Sequence, residues 1–473
     1  MPELILGPLV GGLSHDSVNL WARAGGPATL HAWLAEGDAP FRLAGQVNLE
    51  EANGFAGVIA IQGLKPETTY RYALSLNATP PDGEMGTFTT FPPPGTPRSF
   101  AFAFGSCFRP QDETSGEAFR VLAGRASSDQ LRFLLLIGDQ IYADETGYNG
   151  LGRVAISLED YRAVYRHVWS HPAWRAATRR LPVFMTLDDH EVDNDWHWVD
   201  EARTQADLPL YTRLERRLKG YPTEAWRLSG QRVRDALKAY WEHQGMHAPP
   251  PIRPPEWTSG ARFLLNREDS GSLAYTFTFG AVAFFVMDTR TGRLLNRQRR
   301  EMLHEGQWQA LERWLLDVKD AYPLKFLITS SAFLYDLFMD VPDRWSAFRA
   351  ERDRLLHFLA ANGIEGVYFL SGDLHSAHAT RAQLYGPEGK RIPIREFCSS
   401  PFEQEGNWVS CLFRRKPSSS ALAEFEHLFT ISAPNFGIVH VEFSPGDGSV
   451  SPKVRFECVY RERKGGWRSR WAE

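Results

Sequence analysis

Four short apolar runs along the chain end abruptly in residues that can bind metals or transfer protons. Residues 131–137 are almost wholly apolar, a pattern that favours a strand buried on both faces of a sheet. Similar runs cover residues 100–105, 182–187 and 367–372. The polar groups that follow are, in chain order, Ser106-Cys107, Gly138-Asp139, Asp188-Asp189-His190-Glu191 and Asp373-Leu374-His375. Because catalytic groups of open α/β sheets gather at the carboxyl ends of strands, we expect these residues to form one metal centre.

The first 92 residues have a different pattern, the period-two alternation that is typical of half-buried strands. Residues 18–23 and 28–34 alternate in this way. Residues 64–74 resemble the corner and following strand of a fibronectin type III sandwich, in which a tyrosine hydroxyl binds the corner backbone. A stiff proline-rich linker follows at residues 92–97. We therefore expect an N-terminal β-sandwich over residues 1–92.

The second predicted domain, residues 98–460, mixes strand and helix patterns, so the predicted fold class is α/β (α+β). Further strands are predicted at 273–279, 282–287, 325–329, 438–443 and 454–459. Helices are predicted at 114–122, 158–180, 231–243, 306–316 and 344–362, the last ending at Gly363. Residues 197–268 are the least regular part of this domain, and we expect them to form an insertion over the mouth of the site.

The composition argues against several classes of protein but does not indicate a particular reaction. The 473 residues are 43% hydrophobic and 23% charged, with a net charge of -4, which argues against nucleic-acid binding as the main purpose. The basic run at residues 461–470 is interpreted as a solvated face or a tail. Four distant cysteines predict neither a zinc motif nor a disulfide framework. With no membrane-length apolar run and no signal-like N-terminus, we expect a monomeric cytoplasmic protein without a membrane span.

Three residues near the first strand ends have both a metal-binding and a structural interpretation. Asp139 can bridge two metals with its two oxygens or cap the next helix, and we favour the metal. Cys107 can bind a metal as a thiolate or serve as a small buried hydrophobe, and the two alternatives are even. Tyr142 can be a phenolate ligand or a packed aromatic side chain.

The segment 188–195 carries five carboxylates, a histidine and an amide, and we expect cations to offset its repulsion. His190 is either a metal ligand or the general acid that protonates the leaving alkoxide; we favour the acid, since neighbouring carboxylates supply ligands enough. His375 is a ligand or a hydrogen-bond partner of the phosphate, with His378 behind it. Arg109 and Arg290 each follow a strand end by two residues, and each fits a phosphate fork as well as a salt bridge to the acidic cluster.

Several short motifs occur in a fixed order along the chain. They are Gly105-Ser106-Cys107, Gly138-Asp139-Gln140-Ile141-Tyr142, Asp188-Asp189-His190-Glu191-Val192-Asp193-Asn194, Asp288-Thr289-Arg290, Asp343-Arg344-Trp345, Ser371-Gly372-Asp373-Leu374-His375 and Pro434-Asn435-Phe436-Gly437. As an ordered set they resemble the alkaline phosphatase D (PhoD-like) family of metallophosphoesterases. The resemblance covers nearly the whole chain and implies a four-layer αββα core, with a dinuclear centre between two sheets, behind an N-terminal β-sandwich.

The resemblance also implies a set of ligands and an activity. The implied ferric site uses Cys107, Tyr142, Asp139 and Asp373, while the implied calcium site uses Asp139 with Asn194. In the wider superfamily the second ligand directly precedes the catalytic histidine, which here is Asp189, and both alternatives stay open. Mn²⁺, Zn²⁺ or Mg²⁺ are the alternative metals.

The implied reaction is hydrolysis of small-molecule phosphate monoesters and diesters at alkaline pH by a metal-activated hydroxide. The nearest alternative is a phosphodiesterase for phospholipid headgroups that uses a different divalent pair. A non-catalytic binding module on the same fold ranks lower, because the expected ligands are all present. The chain departs from the family pattern in Gly-Asp-Gln-Ile-Tyr-Ala and in the missing twin-arginine signal.

Overall fold

The computed structural model describes residues 2–81, 85–112, 114–200, 203–204, 210–255, 267, 271–337, 343–412, 414–444 and 452–473. The first strands are β1 (Leu4–Gly11), β2 (Ser17–Ala24), β3 (Ala28–Glu36), β4 (Arg42–Leu49), β5 (Ala56–Gln62), β6 (Thr69–Ser75) and β7 (Gly86–Thr89). They form two antiparallel sheets, with the strand orders β1-β2-β5 and β4-β3-β6-β7. The Lys65 amide donates a hydrogen bond of 3.0 Å to the Tyr70 hydroxyl, so the predicted tyrosine contact at the corner is confirmed. The closer likeness to a fibronectin type III sandwich stays a prediction.

The N-terminal sheets are packed onto the rest of the chain. The Trp21 indole N–H donates to the Glu242 carbonyl at 2.9 Å, and its ring lies 5.8 Å from that of Trp169. The Asn19 amide donates to the His247 carbonyl at 3.1 Å. The proline-rich linker alone gave no sign of this contact, because a packing interface depends on side chains from distant segments.

The remaining helices are α1 (Glu117–Ser128), α2 (Leu158–Trp169), α3 (Pro172–Thr178), α4 (Leu210–Leu218), α5 (Gly230–His243), α6 (Glu305–Val318), α7 (Arg349–Ala361) and α8 (Val409–Leu412). The remaining strands are β8 (Phe100–Gly105), β9 (Leu131–Ile137), β10 (Val183–Thr186), β11 (Trp198–Asp200), β12 (Arg203–Thr204), β13 (Tyr275–Phe279), β14 (Val282–Val286), β15 (Leu294–Leu295), β16 (Arg300–Glu301), β17 (Leu324–Ser331), β18 (Asp336–Leu337), β19 (Val367–Gly372), β20 (Ala377–Tyr385), β21 (Arg391–Cys398), β22 (Arg414–Arg415), β23 (Leu422–Ile431), β24 (Asn435–Glu442), β25 (Lys453–Arg461) and β26 (Trp467–Ala472).

Two large mixed sheets carry the strand ends that were singled out in the sequence. The first has the order β10-β9-β8-β24-β25-β26, and its strands β8, β9 and β10 are parallel. The second has the order β13-β14-β17-β19-β21-β20-β23, in which β14, β17, β19 and β21 are parallel. The carboxyl ends of the parallel strands therefore supply the polar groups, as the apolar runs predicted.

The alternation within β9 explains why its sequence is apolar throughout. Phe133 and Leu135 belong to a core that includes the second sheet, where the Phe133 ring packs edge-on against Phe284 at 5.7 Å. Leu134 and Leu136 belong to a second core, which includes residues of α1, α2 and α3. Helices α6 and α7 pack in the same way on residues of the second sheet. Successive side chains of a strand point to opposite faces, so both sets must be apolar.

Several predicted elements need correction. The predicted helix 158–180 is two helices, α2 and α3, because Pro172 has no N–H for a continuous ladder and instead starts a new helix. The predicted helix 344–362 starts only at Arg349, after a 3-10 turn at Trp345–Ala347. The basic run 461–470 is not a tail, since β26 pairs with β25 there, although its arginines remain exposed.

The predicted insertion at 197–268 is described only in part, and residues 201–202, 205–209, 256–266 and 268 lie outside the described residues. Within it, the predicted helix 231–243 is confirmed as α5. The domain boundaries stay predictions. Among the described residues, no helix combines the length and apolar character that crossing a bilayer requires.

Candidate metal centre

The strand ends reach the site through a strained backbone. Cys107, Asp139, Asp373 and His375 have φ angles of 62°, 54°, 62° and 51°, a left-handed conformation that residues other than glycine rarely adopt. Gly138 has φ +82°, and a Cβ there would lie 2.4 Å from the Cβ of Asp188. Strain of this kind persists where surrounding structure holds it, and it concentrates at functional sites. Four of the residues chosen from sequence therefore share an uncommon backbone conformation.

The side chains of these strand ends converge. The ligand atoms of Cys107, Asp139 and His375 lie within 4.8 Å of one another. A second group, with the same limit, contains Asp139, Asp188, Asp189 and Asp373. Asp139 belongs to both groups and to a third one with Asp189 and His190. A carboxylate placed between two cations would be shared in this way. The predicted convergence of the strand ends is thus confirmed, and it joins both large sheets.

Cys107 and Tyr142 lie on one side of Asp139. The Cys107 thiol contacts Asp139 Oδ2 at 3.2 Å and accepts a hydrogen bond from the Ser400 hydroxyl at 3.2 Å. The Tyr142 hydroxyl is 3.5 Å from the same Asp139 oxygen and 3.4 Å from His375 Nε2. Burial, reinforced by the Asp373 carboxylate, raises the pKa of Cys107 to about 12. A thiolate at this position therefore needs a cation beside it.

The buried carboxylates also indicate that a cation binds here. Burial and the neighbouring acidic groups raise the pKa values of Asp139 and Asp373 well above the usual range. Asp188 Oδ2 and Asp189 Oδ1 are buried, and neither accepts a hydrogen bond from any residue that the structure describes. Carboxylate oxygens without hydrogen bonds in a crowded acidic cluster are what a bound cation would use, so the residues present fit a metal centre.

Not every acid of the segment 188–195 needs a cation, which corrects the expectation drawn from its charge. The Glu191 carboxylate accepts backbone hydrogen bonds from Gln140 at 2.8 Å and from Asp188 and Asp139 at 3.1 Å each. It therefore ties the end of β9 to the end of β10. Asp193 is paired with two arginines of the insertion, at 3.0 and 3.2 Å. Protein groups offset these two charges because distant segments fold against them.

His190 has a partner that sequence reasoning missed. Its Nδ1 lies 2.8 Å from Asp144 Oδ1, and its ring lies against that of Tyr142, tilted by 33°, with centroids 4.1 Å apart. Burial lowers the pKa of His190, but the carboxylates of Asp144 and Asp189 outweigh burial and hold the pKa well above its usual value. The only available signal was position, since Asp144 follows Asp139 by five residues at the same strand end.

The two arginines chosen from sequence are both ion-paired. Arg290 is fully buried and contacts Asp188 at 2.5 Å, Asp189 at 3.4 Å and Asp343 at 2.5 Å. Arg109 pairs with Glu145 and lies over the Tyr142 ring at 5.9 Å. Arg290 therefore has the contacts of the salt-bridge alternative, whereas Arg109 pairs with an acid outside the segment 188–195. A role for either arginine in phosphate binding stays a prediction.

A cleft of about 180 Å³ opens onto this cluster. Asn194 lines it together with Asp189, His190 and His375. The backbone N–H of Asn194 donates to Asp144 Oδ2 at 2.9 Å. Both alternatives for the second ligand line this cleft: Asp189 is buried near Asp139, and Asn194 is exposed, so both stay predictions. His378 is fully buried, 3.3 Å from Glu396.

Arg344 is a further residue that sequence reasoning did not place in the site. It lines the cleft 3.9 Å from Asp373, and its Nη1 is buried without a hydrogen-bond partner among the described residues. The motif Asp343-Arg344-Trp345 belongs to the ordered set that carries the family resemblance, but its place in the sequence gave no sign that Arg344 lies beside the strand ends.

Comparison with known proteins finds relatives of this chain. A family model described as PhoD-like phosphatase matches residues 102–451. Alkaline phosphatase D of Bacillus subtilis (strain 168) is 25% identical over 472 residues, covering 89% of this chain and 73% of that protein. A solved structure of PhoD superposes with a TM-score of 0.67 at 20% identity, covering 98% of this chain and 92% of that one. The structural likeness shows a shared fold, and the family model covers every residue predicted for the site.

Proposed function

Because the chain belongs to the PhoD-like phosphatase family, we propose that it hydrolyses phosphoesters at a dinuclear metal centre around Asp139. Family membership supports a phosphoesterase in general. The observation that carries the finer proposal is the sharing of Asp139 between two groups of ligand atoms, one with Cys107 and His375 and one with Asp188, Asp189 and Asp373. Two cations a few ångströms apart are the usual device for in-line displacement at phosphorus.

The first proposed site is held by Cys107, Tyr142, Asp139, Asp373 and His375, and the second by Asp139 with Asp189 or Asn194. A thiolate and a phenolate suit a trivalent or soft ion, and carboxylate and amide oxygens suit a hard divalent ion. We propose Fe³⁺ and Ca²⁺, with Mn²⁺, Zn²⁺ or Mg²⁺ as alternatives. When bound, such ions offset charge on the phosphoryl oxygens and make an attacking water more acidic.

The protein's own groups would orient the substrate and move the proton. His190 would protonate the leaving alkoxide, with Asp144 fixing its ring through Nδ1 so that Nε2 is left for the substrate. The unpartnered Nη1 of Arg344 would donate to a phosphoryl oxygen in the cleft. Arg290 would hold Asp188 and Asp189 in position rather than touch the substrate. No serine is needed as a nucleophile.

The proposal includes the finer architecture. We take the two facing sheets and their helices as the four-layer αββα core of the family, and the N-terminal strands as its fibronectin III-like sandwich. The proposed substrates are small-molecule phosphate monoesters and diesters, acted on by a monomer.

Metal analysis of the purified protein, combined with hydrolysis assays, tests the proposal. We expect about one iron per chain and calcium-dependent hydrolysis of p-nitrophenyl phosphate or bis-p-nitrophenyl phosphate at alkaline pH. A chelator should abolish the activity, and adding back single metals should identify those that restore it. The His190→Ala protein should keep its metals and lose turnover. Protein that stays inactive and metal-free after reconstitution would favour the non-catalytic alternative.

A further inference from the structure

A second cleft, which we call the side cleft, adjoins the cleft over the candidate metal ligands. It has a volume of about 380 Å³, against about 180 Å³ for the cleft over the ligands, and both clefts are lined by His190 and Asn194. Small-molecule sites in proteins occupy roughly 300–1,000 Å³. The cleft over the ligands lies below this range and suits a phosphoryl group, whereas the side cleft is large enough for the group that is esterified to it.

Helix α4 and the turn after it supply much of the lining of the side cleft. The side chains that line the cleft from this segment and are not buried are all polar: Thr212, Glu215, Lys219 and Tyr221. Arg216, which is buried, donates to Asp193 Oδ1 at 3.0 Å. This contact holds α4 against the loop that carries His190, so the insertion forms a fixed part of the cleft.

The charged groups of the side cleft have partners of opposite sign. The Lys219 ammonium donates to Glu215 Oε1 at 2.6 Å, and these two side chains are 47% and 56% exposed. Glu145, from the loop after β9, pairs with Arg109. A lining with balanced charges favours a neutral group over a charged one. The Glu215–Lys219 pair also presents acceptors and donors side by side, and hydroxyl groups can use both.

The position of His190 indicates which part of a substrate enters the side cleft. In an in-line displacement the attacking and leaving oxygens lie on opposite sides of phosphorus, and the general acid must reach the leaving oxygen. His190, the proposed acid, lines both clefts. A phosphoryl group over the metal ligands would therefore have its leaving alcohol beside His190, at the entrance to the side cleft.

We propose that the side cleft binds the leaving alcohol of the substrate, and that this alcohol is neutral and carries several hydroxyl groups, which the Glu215–Lys219 pair recognises. The inference rests on the proposed function and names the class of ester that is hydrolysed. Water adds its oxygen to phosphorus, the P–O bond to the alcohol breaks, and the alkoxide takes a proton from His190; the proton that the water loses balances that proton. An alkyl alcohol would displace water from the ion pair without replacing its hydrogen bonds.

Two esters with matched leaving groups test the proposal. Glucose 6-phosphate and cyclohexylmethyl phosphate are both esters of a primary alcohol on a six-membered ring, and only the first carries further hydroxyl groups. The wild-type kcat/KM should favour glucose 6-phosphate by roughly tenfold or more. In the double variant Glu215→Ala, Lys219→Ala the ratio should fall to about one, because the acceptor and the donor are removed together.

The double variant Glu36→Ala, Lys65→Ala is the matched control. This pair has a similar separation, 2.8 Å, and similar exposures of 45% and 67%, but it lies among the N-terminal strands and lines neither cleft. Because both pairs are exposed to solvent, both double variants should fold. The control should keep the wild-type preference between the two esters.

Calorimetric titration of the metal-loaded His190→Ala protein with each ester supplies a measurement that needs no turnover, and its dissociation constants should show the same preference. Equal kcat/KM values for the two esters in the wild type, a preference for cyclohexylmethyl phosphate, or an unchanged ratio in the Glu215, Lys219 variant would overturn the proposal. Binding with the expected preference, but without hydrolysis of any ester by the wild type, would contradict the proposed function and support the assignment of the side cleft.

Discussion

Asp144 Oδ1 lies 2.8 Å from Nδ1 of His190, and Asp144 Oδ2 accepts a hydrogen bond from the backbone N–H of Asn194 at 2.9 Å. One buried carboxylate therefore connects the loop after β9 with the loop after β10, and it fixes the orientation of the imidazole. A carboxylate on one ring nitrogen also stabilises the protonated ring, the form that a general acid requires.

Replacing Asp144 with asparagine should reduce kcat by roughly 10- to 100-fold. The loss should be greater for phenyl phosphate than for p-nitrophenyl phosphate, because the poorer leaving group needs the proton more. Metal content should not change. Asp129→Asn, which alters an acid at the end of α1 beside Arg125, is the control and should leave kcat unchanged. Equal losses for the two substrates would argue against the role given to His190.

Replacing Cys107 with alanine should remove the ion bound beside it and lower activity by roughly 100-fold. The thiol is 3.2 Å from Asp139 and is fully buried, so no side chain from the protein surface can replace it as a ligand. Iron per chain is the measurement. Cys458→Ala is the matched control, since Cys458 is equally buried but lies in β25 outside the candidate ligand groups. Unchanged iron in the Cys107 variant would restore the alternative of a small buried hydrophobe.

Replacing Arg290 with glutamine should destabilise the fold more than it alters substrate binding. The change leaves Asp188, Asp189 and Asp343 without their shared cation, at a cost of roughly 3–5 kcal/mol in the free energy of unfolding. Urea unfolding measures it. Arg381→Gln, at an exposed pair with Glu426, should cost about 0–1 kcal/mol. A raised KM at unchanged stability would instead support Arg290 as a phosphate ligand.

Replacing Arg344 with glutamine should have the opposite profile. Its buried Nη1 has no hydrogen-bond partner among the described residues, and its contact with Asp373 is long, at 3.9 Å, so the free energy of unfolding should change less than in the Arg290 variant. If this nitrogen donates to the phosphoryl oxygen, kcat/KM should fall by roughly 100-fold. Steady-state kinetics and urea unfolding on the same preparation distinguish a substrate-binding role of Arg344 from a structural one. Large destabilisation with wild-type kinetics would make Arg344 a structural residue.

Acid should weaken the contact between the N-terminal sheets and the rest of the chain through His247. Burial lowers the pKa of His247 from 6.5 to about 4, so the unfolded chain binds this proton at higher pH than the folded chain does. The contribution of the neutral His247 to the free energy of unfolding is therefore fully present above pH 6.5 and is lost as pH falls toward about 4. The loss reaches about 3 kcal/mol at most.

The measurement is the free energy of unfolding against pH for the wild type and for His247→Leu. The variant should show a smaller loss between pH 7 and 5, since it has no such proton to bind. His247 lies beside Trp21 and apart from the candidate ligands, so the difference curve is free of the site acids. Identical pH dependence in the two proteins would contradict the prediction.

The sequence by itself determined the strands and the chemistry at their ends. The apolar run of β9 is buried on both faces because Phe133 and Leu134 pack on opposite sides, and a strand with that requirement must be apolar throughout. Its carboxyl end then places Asp139 at the sheet edge. The order of such motifs along the chain was enough to identify the family, because local periodicity and motif order depend only on the linear sequence.

Only the tertiary structure decided which charges neutralise which. Glu191 binds backbone amides, Asp193 binds arginines of the insertion, and Arg290 binds three aspartates, although sequence reasoning gave these acids to cations and left Arg290 open. The Asp144–His190 contact was missed for the same reason. An ion pair or hydrogen bond depends on distances of a few ångströms between residues far apart in the chain, and no local pattern encodes those distances.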